Sequence, residues 1–328
     1  MTSGRRLLAS LFSAALLACA ADPAPPAACP ADGYPAGASR AAGCTPGVGW
    51  LAFAFTRQGT STPALFIGRP DGTCTERLTT DDAAHDGPAF FPGGTRLIYA
   101  SARSGLSQLY VRDLLTGAET LLETAYAFSP PPGAPVRLTA ATPAVSPDGA
   151  TIAFEGGWTD YPGWSDIFTI PVAGGPAARV TRSSGSALPK WSADGALLYF
   201  YRPGAGELFS APPDGTSEAA VTSGSAISSR FNLSGDGQAL LYARHAATGA
   251  GPRPTELVSF DLVTHAVRVI SSANEADPAS DAATGAVAVS RRSGAGGYDL
   301  FLLDAASGAV KRQLTSCPGQ AFAAAASR

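Results

Sequence analysis

A ten-residue phrase occurs twice in this chain, as VSPDGATIAF at 145–154 and as WSADGALLYF at 191–200. A repeat at a fixed period constrains a fold more than composition does, because each copy must solve the same packing problem. Worn copies extend the series: TPGVGWLAF at 45–53, PAFFPGGTRLIY at 88–99, FNLSGDGQALLY at 231–242 and PASDAATGAVAV at 278–289. With Asp148 as the marker, the equivalents are Gly47, Gly93, Asp194, Asp236 and Ala283, spaced by 46, 55, 46, 42 and 47 residues. Periods in the forties are those of propeller blades.

Each unit has one anatomy. A short run ends in an aromatic or aliphatic residue, and a Pro/Asp/Gly turn follows, where glycine allows the positive φ of a tight hairpin. An alternating apolar strand comes next, as in Thr151–Phe154 or Leu197–Phe200. A third strand follows a loop, as in Asp166-Ile167-Phe168, Glu207-Leu208-Phe209 and Asp299-Leu300-Phe301. A second turn leads to a fourth strand that often closes on Leu-Thr or Val-Thr, at Leu78-Thr79, Val180-Thr181, Val221-Thr222 and Leu314-Thr315. Helical periodicity does not compete. The expectation is an all-β chain, a six-bladed β-propeller of four-stranded antiparallel blades. The last twelve residues, CPGQAFAAAASR, look like an inner strand with nothing after them to complete a blade. Gln320–Ala326 is expected to supply the inner strand of the first blade and close the ring, with Arg40–Cys44 as the rival for that slot.

The pattern P-x-x-S-P-D-G-x-x-I-x-F, then arginine, then acid-Ile/Leu-aromatic, then Leu-Thr, resembles the WD40-like (PD40) repeat of the TolB propeller family. Pro143–Phe154 fits it best, and Pro189–Phe200 fits with Ala193 at the turn proline. The resemblance covers about 45–328 and implies the fold; such propellers are reused for many functions. It does not extend to the additional N-terminal α/β domain of TolB, whose place is taken here by a tether.

Three regions are expected: 1–18 a lipoprotein signal peptide, 19–44 an anchored tether and 45–328 the propeller. Arg5 and Arg6 precede an apolar run from Leu7 to Ala18, too short to span a bilayer and suited to export. Leu16-Leu17-Ala18-Cys19 resembles the lipobox of bacterial lipoproteins, in which the cysteine thiol receives a diacylglycerol. Ordinary cleavage near Ala18 or Ala20 is the alternative. Several acyl chains give stable anchoring, at about 0.8 kcal/mol per buried methylene. Ala20, in place of aspartate, points to the outer membrane, with the propeller facing the periplasm or the cell surface. Residues 20–43 are Ala, Pro and Gly with few large apolar side chains and read as a tether. Cys29, Cys44, Cys74 and Cys317 suggest two disulfides, with three connectivities open. No metal site is expected, since no two cysteines have zinc-ligand spacing.

The net charge is −3, so no nucleic-acid footprint exists; removal of a signal holding two arginines makes it −3 − 2 = −5. Strand alternation puts the tight glycine turns on one face and the long loops on the other. Those loops run from Thr124 to Ala140, Glu155 to Asp166 and Arg244 to Thr255. Trp158, Asp160, Tyr161 and Trp164 fall in the second loop, and Arg244 opens the third. They are the candidate partner-binding residues, the alternative being rings folded back as local core. Arginines recur after the second strand (Arg57, Arg103, Arg202, Arg244, Arg291, Arg292) and are expected to pair locally. His85, Asp86, Glu275 and Asp277 are placed at the channel mouth; the acids are expected to be solvated, with cation binding as the alternative, and His85 with Asp86 is the lone general-base candidate.

An enzyme is not expected. The chain has no G-x-S-x-G elbow, and its three histidines, His85, His245 and His265, are scattered. No cofactor is called for. The expected role is a monomeric, lipid-anchored scaffold that binds an envelope protein, such as another lipoprotein or a peptidoglycan-associated protein. Carbohydrate or small-ligand binding at the channel mouth is the alternative, and a hydrolase or lyase stands behind it.

Overall fold

The computed structural model describes residues 29, 33–35, 43–126, 138–158, 164–246, 254–281, 285–292 and 297–327. Secondary structure there consists of strands alone. In chain order they are β1 (Leu51–Arg57), β2 (Ala64–Gly68) and β3 (Glu76–Arg77), then β4 (His85–Phe90), β5 (Arg96–Ser101), β6 (Gln108–Asp113), β7 (Glu119–Leu122) and β8 (Thr124–Tyr126). Next are β9 (Leu138–Val145), β10 (Thr151–Trp158), β11 (Ser165–Pro171) and β12 (Gly175–Arg179), followed by β13 (Ala187–Trp191), β14 (Leu198–Arg202), β15 (Glu207–Ala211) and β16 (Ala219–Ala220). The last are β17 (Ile227–Leu233), β18 (Ala239–His245), β19 (Thr255–Asp261), β20 (Val267–Ser271), β21 (Glu275–Asp281), β22 (Ala286–Arg292), β23 (Tyr298–Asp304), β24 (Val310–Gln313) and β25 (Gly319–Ala326).

They pair antiparallel as four-stranded units: β4–β7, β9–β12, β13–β16, β17–β20, β21–β24, and β1–β3 with β25. The C-terminal strand β25 lies antiparallel beside β1, from Leu51↔Ala326 to Arg57↔Gly319. Fourth strands are short, down to Ala219–Ala220, which limits the edge they expose. Two features depart from the sequence reading. β8 adds a parallel strand to the outer edge of β12, within what reads as an exit loop. β10 also runs on through Gly156, Gly157 and Trp158, because the glycine pair continues the ladder with Asp166 and Ser165.

The repeated phrases are hydrogen-bonding devices. In the Ser-x-Asp-Gly turns the serine hydroxyl donates to the aspartate, Ser146 to Asp148 at 2.5 Å, Ser192 to Asp194 at 2.6 Å and Ser234 to Asp236 at 2.6 Å. Each hydroxyl also accepts the N–H that starts the next strand, at 2.9 Å from Thr151, Leu197 and Ala239. Each aspartate also accepts one N–H two residues on, and the serine hydroxyl first, then this N–H, hold the Asp148 and Asp194 carboxyls below the usual range. The glycine after it supplies positive φ, as at Gly149 (73°) and Gly195 (73°).

The Leu-Thr signature is a second such device. Thr79, Thr181, Thr222 and Thr315 are buried, and their hydroxyls accept the N–H of Leu65, Ile167, Leu208 and Leu300 at 2.8–3.0 Å. In the later units the same hydroxyl donates to the acid that opens the third strand, Thr181 to Asp166 at 2.7 Å, Thr222 to Glu207 at 2.5 Å and Thr315 to Asp299 at 3.1 Å. The co-occurrence of acid-Leu/Ile-aromatic with Leu-Thr is therefore one contact seen from two ends.

The core lies between units. Alternate side chains of one strand enter different clusters: Ile152 and Phe154 face the unit before, and Ala153 faces the unit after, against Trp191 and Phe200. The disulfides are Cys29–Cys317 and Cys44–Cys74. The first joins the segment ahead of β1 to the approach to β25. Nearby, Tyr34 packs beside Phe55 and Phe66, with the Arg77 guanidinium 3.9 Å above its ring.

Candidate functional site

The inner strands share a defect that shapes the centre of the molecule. In β4, β9, β13, β17 and β21 the register with the second strand shifts by a bulge. In four of them the bulge sits at a residue before proline with positive φ: Gly87 (60°), Thr142 (45°), Leu188 (57°) and Asp277 (48°). A bulge re-aims side chains. The residues around Pro88, Pro143, Pro189, Phe231 and Pro278 converge on a cavity of ≈ 20 Å³, room for about one water. Inner strands from different units thus meet at one channel.

Four ionisable groups cluster there. The Arg230 guanidinium donates to Asp86, and the Arg230 backbone N–H donates to Asp277 at 3.3 Å. Glu155, on β10, accepts from the Thr142 hydroxyl at 3.3 Å. Desolvation pushes the Glu155 carboxyl above the usual range, and bonds from Thr142 and the Leu188 N–H and the charge of Arg230 offset it only in part. Desolvation likewise raises Asp277 against the pull of Arg230.

Arg230 and Glu155 were missed from the sequence. A signal existed for Arg230. Aligning the units places it in the column of Gly87, Thr142, Leu188 and Asp277, immediately before the proline position. Glu155 carries no such mark, since the position after the second-strand aromatic varies between units.

The channel-mouth residues separate into two groups. Asp86 and Asp277 meet at Arg230. Glu275 is buried and paired with Arg291 at 2.5 Å, and it accepts further bonds from the Ser271 hydroxyl and the Ala273 N–H. The expectation of solvated acids is corrected for Glu275 and Asp277, which are buried beside arginines, whereas Asp86 stays partly exposed while paired with Arg230. His85 is also buried, at 0% exposure, with Nε2 2.6 Å from Asp81 and its ring against Tyr99. It is packed inside its unit and does not line an open mouth.

Of the loop candidates, Asp160 and Tyr161 lie outside the described residues, as does the lipidation candidate Cys19. Trp158 is the last residue of β10, and nothing is described of its side chain. Trp164 is half-buried against the cluster of Phe154 and Phe168, with the Arg179 guanidinium 5.0 Å from its ring. Its neighbour Asp166 is buried and bound by Arg179 at 2.5 Å, which makes that acid structural. Arg244 pairs with Glu256 at 3.2 Å. Local pairing is also the fate of Arg103 with Glu119 (2.7 Å) and Arg202 with Glu218 (2.5 Å). These arginines lie over Tyr110 and Phe209 at 3.8 and 4.0 Å, so stacking as well as charge fixes them.

Between the β9–β12 and β13–β16 units the long-loop face opens into a recess of ≈ 890 Å³, with Glu155, Trp164 and Arg202 on its walls. Among the described residues no group of three or more His, Cys, Asp or Glu side chains is arranged to hold a metal ion.

No protein-family model matches the chain. Over 53 residues it is 38% identical to the TolB homolog of Chlorobium luteolum, a match covering 16% of this chain and 12% of that protein. Its structure resembles TolB from Acinetobacter baumannii with a TM-score of 0.67 and 19% identity, over 84% of this chain and 67% of that one. A putative TolB from Agrobacterium tumefaciens gives 0.59 and 18%, over 84% of this chain and 96% of that one. An oligogalacturonate lyase in complex with manganese gives 0.56 and 14%, over 80% and 73%. Likeness at this identity carries the fold alone, and the same fold hosts both binders and enzymes. In fold, the chain is a TolB-like β-propeller protein.

Proposed function

We propose that the chain is an exported, lipid-anchored propeller of six blades, closed into a ring by β25, that docks a second cell-envelope protein through its long-loop face without catalysis. The observation that carries this reading is the asymmetry of the two faces. On one, the turns are satisfied internally: the Ser-x-Asp-Gly turns cap themselves, and Asp113, Asp261 and Asp304 each gather two backbone N–H groups and a hydroxyl. The other face, to which the sequence assigns the long interstrand segments, holds the recess. Rigid scaffolds place binding on such loops.

Export is supported by the two disulfides, which persist in oxidising compartments. Anchoring rests on Cys19 and the apolar run before it. The non-catalytic reading is supported by the burial of His85, whose Nδ1 is enclosed and without a hydrogen-bond partner, out of reach of a substrate.

The test is cross-linking in cells followed by affinity capture, comparing wild type with the Trp158→Ala/Trp164→Ala double variant. An envelope protein recovered with wild type and lost with the variant is the expected result. Equal recovery from both removes this loop from the account.

A further inference from the structure

We infer that the recess between the β9–β12 and β13–β16 units receives a lysine or arginine side chain of the docked protein, with the Glu155 carboxylate as its counter-ion. The inference rests on the docking reading of the long-loop face and names what that face recognises.

The geometry supports a single extended cation. The recess, at ≈ 890 Å³, is roomy for one long side chain and opens toward the long-loop face. Glu155 lies on its wall, at the seam with the channel. Thr139, Ser165 and Ser184 line the same space, and the Ser165 side chain hydrogen-bonds Glu155. An ammonium has three donors and a guanidinium five, so a carboxylate flanked by hydroxyl oxygens matches either head group. Gly157 and Gly204 keep the walls free of side chains.

Charge accounting gives the sign. Arg202 is also on the wall, but Glu218 meets its charge at 2.5 Å and Ser183 accepts a further bond at 2.5 Å. Arg230, across the seam, is engaged by Asp86 and Asp277. One arginine therefore faces three carboxyls at this end of the channel, and the remaining cation that lines it, Lys190, extends also to the opposite mouth. Glu155 keeps hydrogen bonds but forms no ion pair within 4 Å among the described residues. A desolvated carboxylate is unfavourable until a cation joins it. An arriving ammonium supplies that partner, whereas an arriving anion meets a carboxylate and a neutralised arginine.

The test uses the full chain and small amides, read by ligand-observed NMR titration. N-acetyl-lysine methylamide and N-acetyl-arginine methylamide are the probes. N-acetyl-norleucine methylamide, with a similar stem and no charge, and N-acetyl-glutamate methylamide are the controls. Saturable binding of the cationic amides, at least tenfold tighter than either control, is expected. Glu155→Gln should weaken it tenfold or more, and Asp214→Asn on the opposite face should leave it unchanged. Ala205→Trp lies on an exposed turn at the rim, so it blocks the mouth without touching Glu155, and it should cause the same loss. No saturable binding, or equal binding by Glu155→Gln, overturns the inference. Capture of the same envelope protein by wild type and Glu155→Gln overturns the recess while leaving the docking face standing. Amide binding with no protein captured keeps the recess and removes the docking reading.

Discussion

Replacing Thr181 by valine keeps its shape and removes both of its hydrogen bonds. The Ile167 N–H and the Asp166 carboxylate, both buried, then lose a partner. An unsatisfied buried group costs about 1–3 kcal/mol. Thr181→Val is therefore expected to lower the denaturant midpoint by a corresponding amount, and Thr181→Ser to recover most of it. Glu155 behaves in the opposite sense. Its carboxyl is raised above the unfolded value by desolvation. The folded state therefore binds this proton more tightly than the unfolded chain, and ionisation costs stability as pH rises through that window. Glu155→Gln should unfold at a higher temperature than wild type at pH 7. The difference should fade as pH drops below the unfolded carboxyl value of about 4.3. A variant equal to or less stable than wild type at pH 7 contradicts this account of the site. The Thr contact was visible in the sequence as two recurring phrases, though its chemistry was not. Asp86 and Asp277 were named for the channel mouth, but their meeting with Arg230 and Glu155 was not visible, because Asp86 and Arg230 are 144 residues apart and meet only through the convergence of bulged strands.

At the scale of elements, strands and turns were legible because period-two alternation and Gly turns recur in every unit. Strand ends were less so. β10 continues through Gly156 and Gly157, residues that read as loop in isolation, because the ladder with β11 holds them. Disulfide pairing was open among three arrangements, since spacing does not determine which cysteines the fold brings together. Cys44–Cys74 closes a separation of 30 residues and Cys29–Cys317 one of 288. In the chain-entropy model these correspond to about 4 and about 5–6 kcal/mol of restraint on the unfolded chain. Removing Cys29–Cys317 by paired serine substitution is expected to lower the melting temperature more than removing Cys44–Cys74. A larger loss from the Cys44–Cys74 pair would show that local strain at β2–β3, not closure of the chain ends, dominates.

At the scale of the molecule, β25 brings the two ends of the repeat array together, pairing with β1 along Gly319–Ala326. Truncation after Thr315 removes this strand and Cys317, and leaves the edge of β1 bare beside Leu51, Phe53 and Phe55. Such a chain is expected to lose its single cooperative unfolding transition and to aggregate, as seen by differential scanning calorimetry and light scattering. The fold was readable because the array is periodic. The proposed docking face rests on a difference in loop length alone, since a partner surface need not repeat. The most direct test of the central claim is site-specific photo-cross-linking in cells. A photoreactive residue is placed at Trp164 or Gly204 on the long-loop face, and at Asp214 or Gly237 on the tight-turn face. The account predicts one envelope protein adduct shared by the first two positions and absent from the second two. Adducts confined to the tight-turn face, or none from either face, would contradict it.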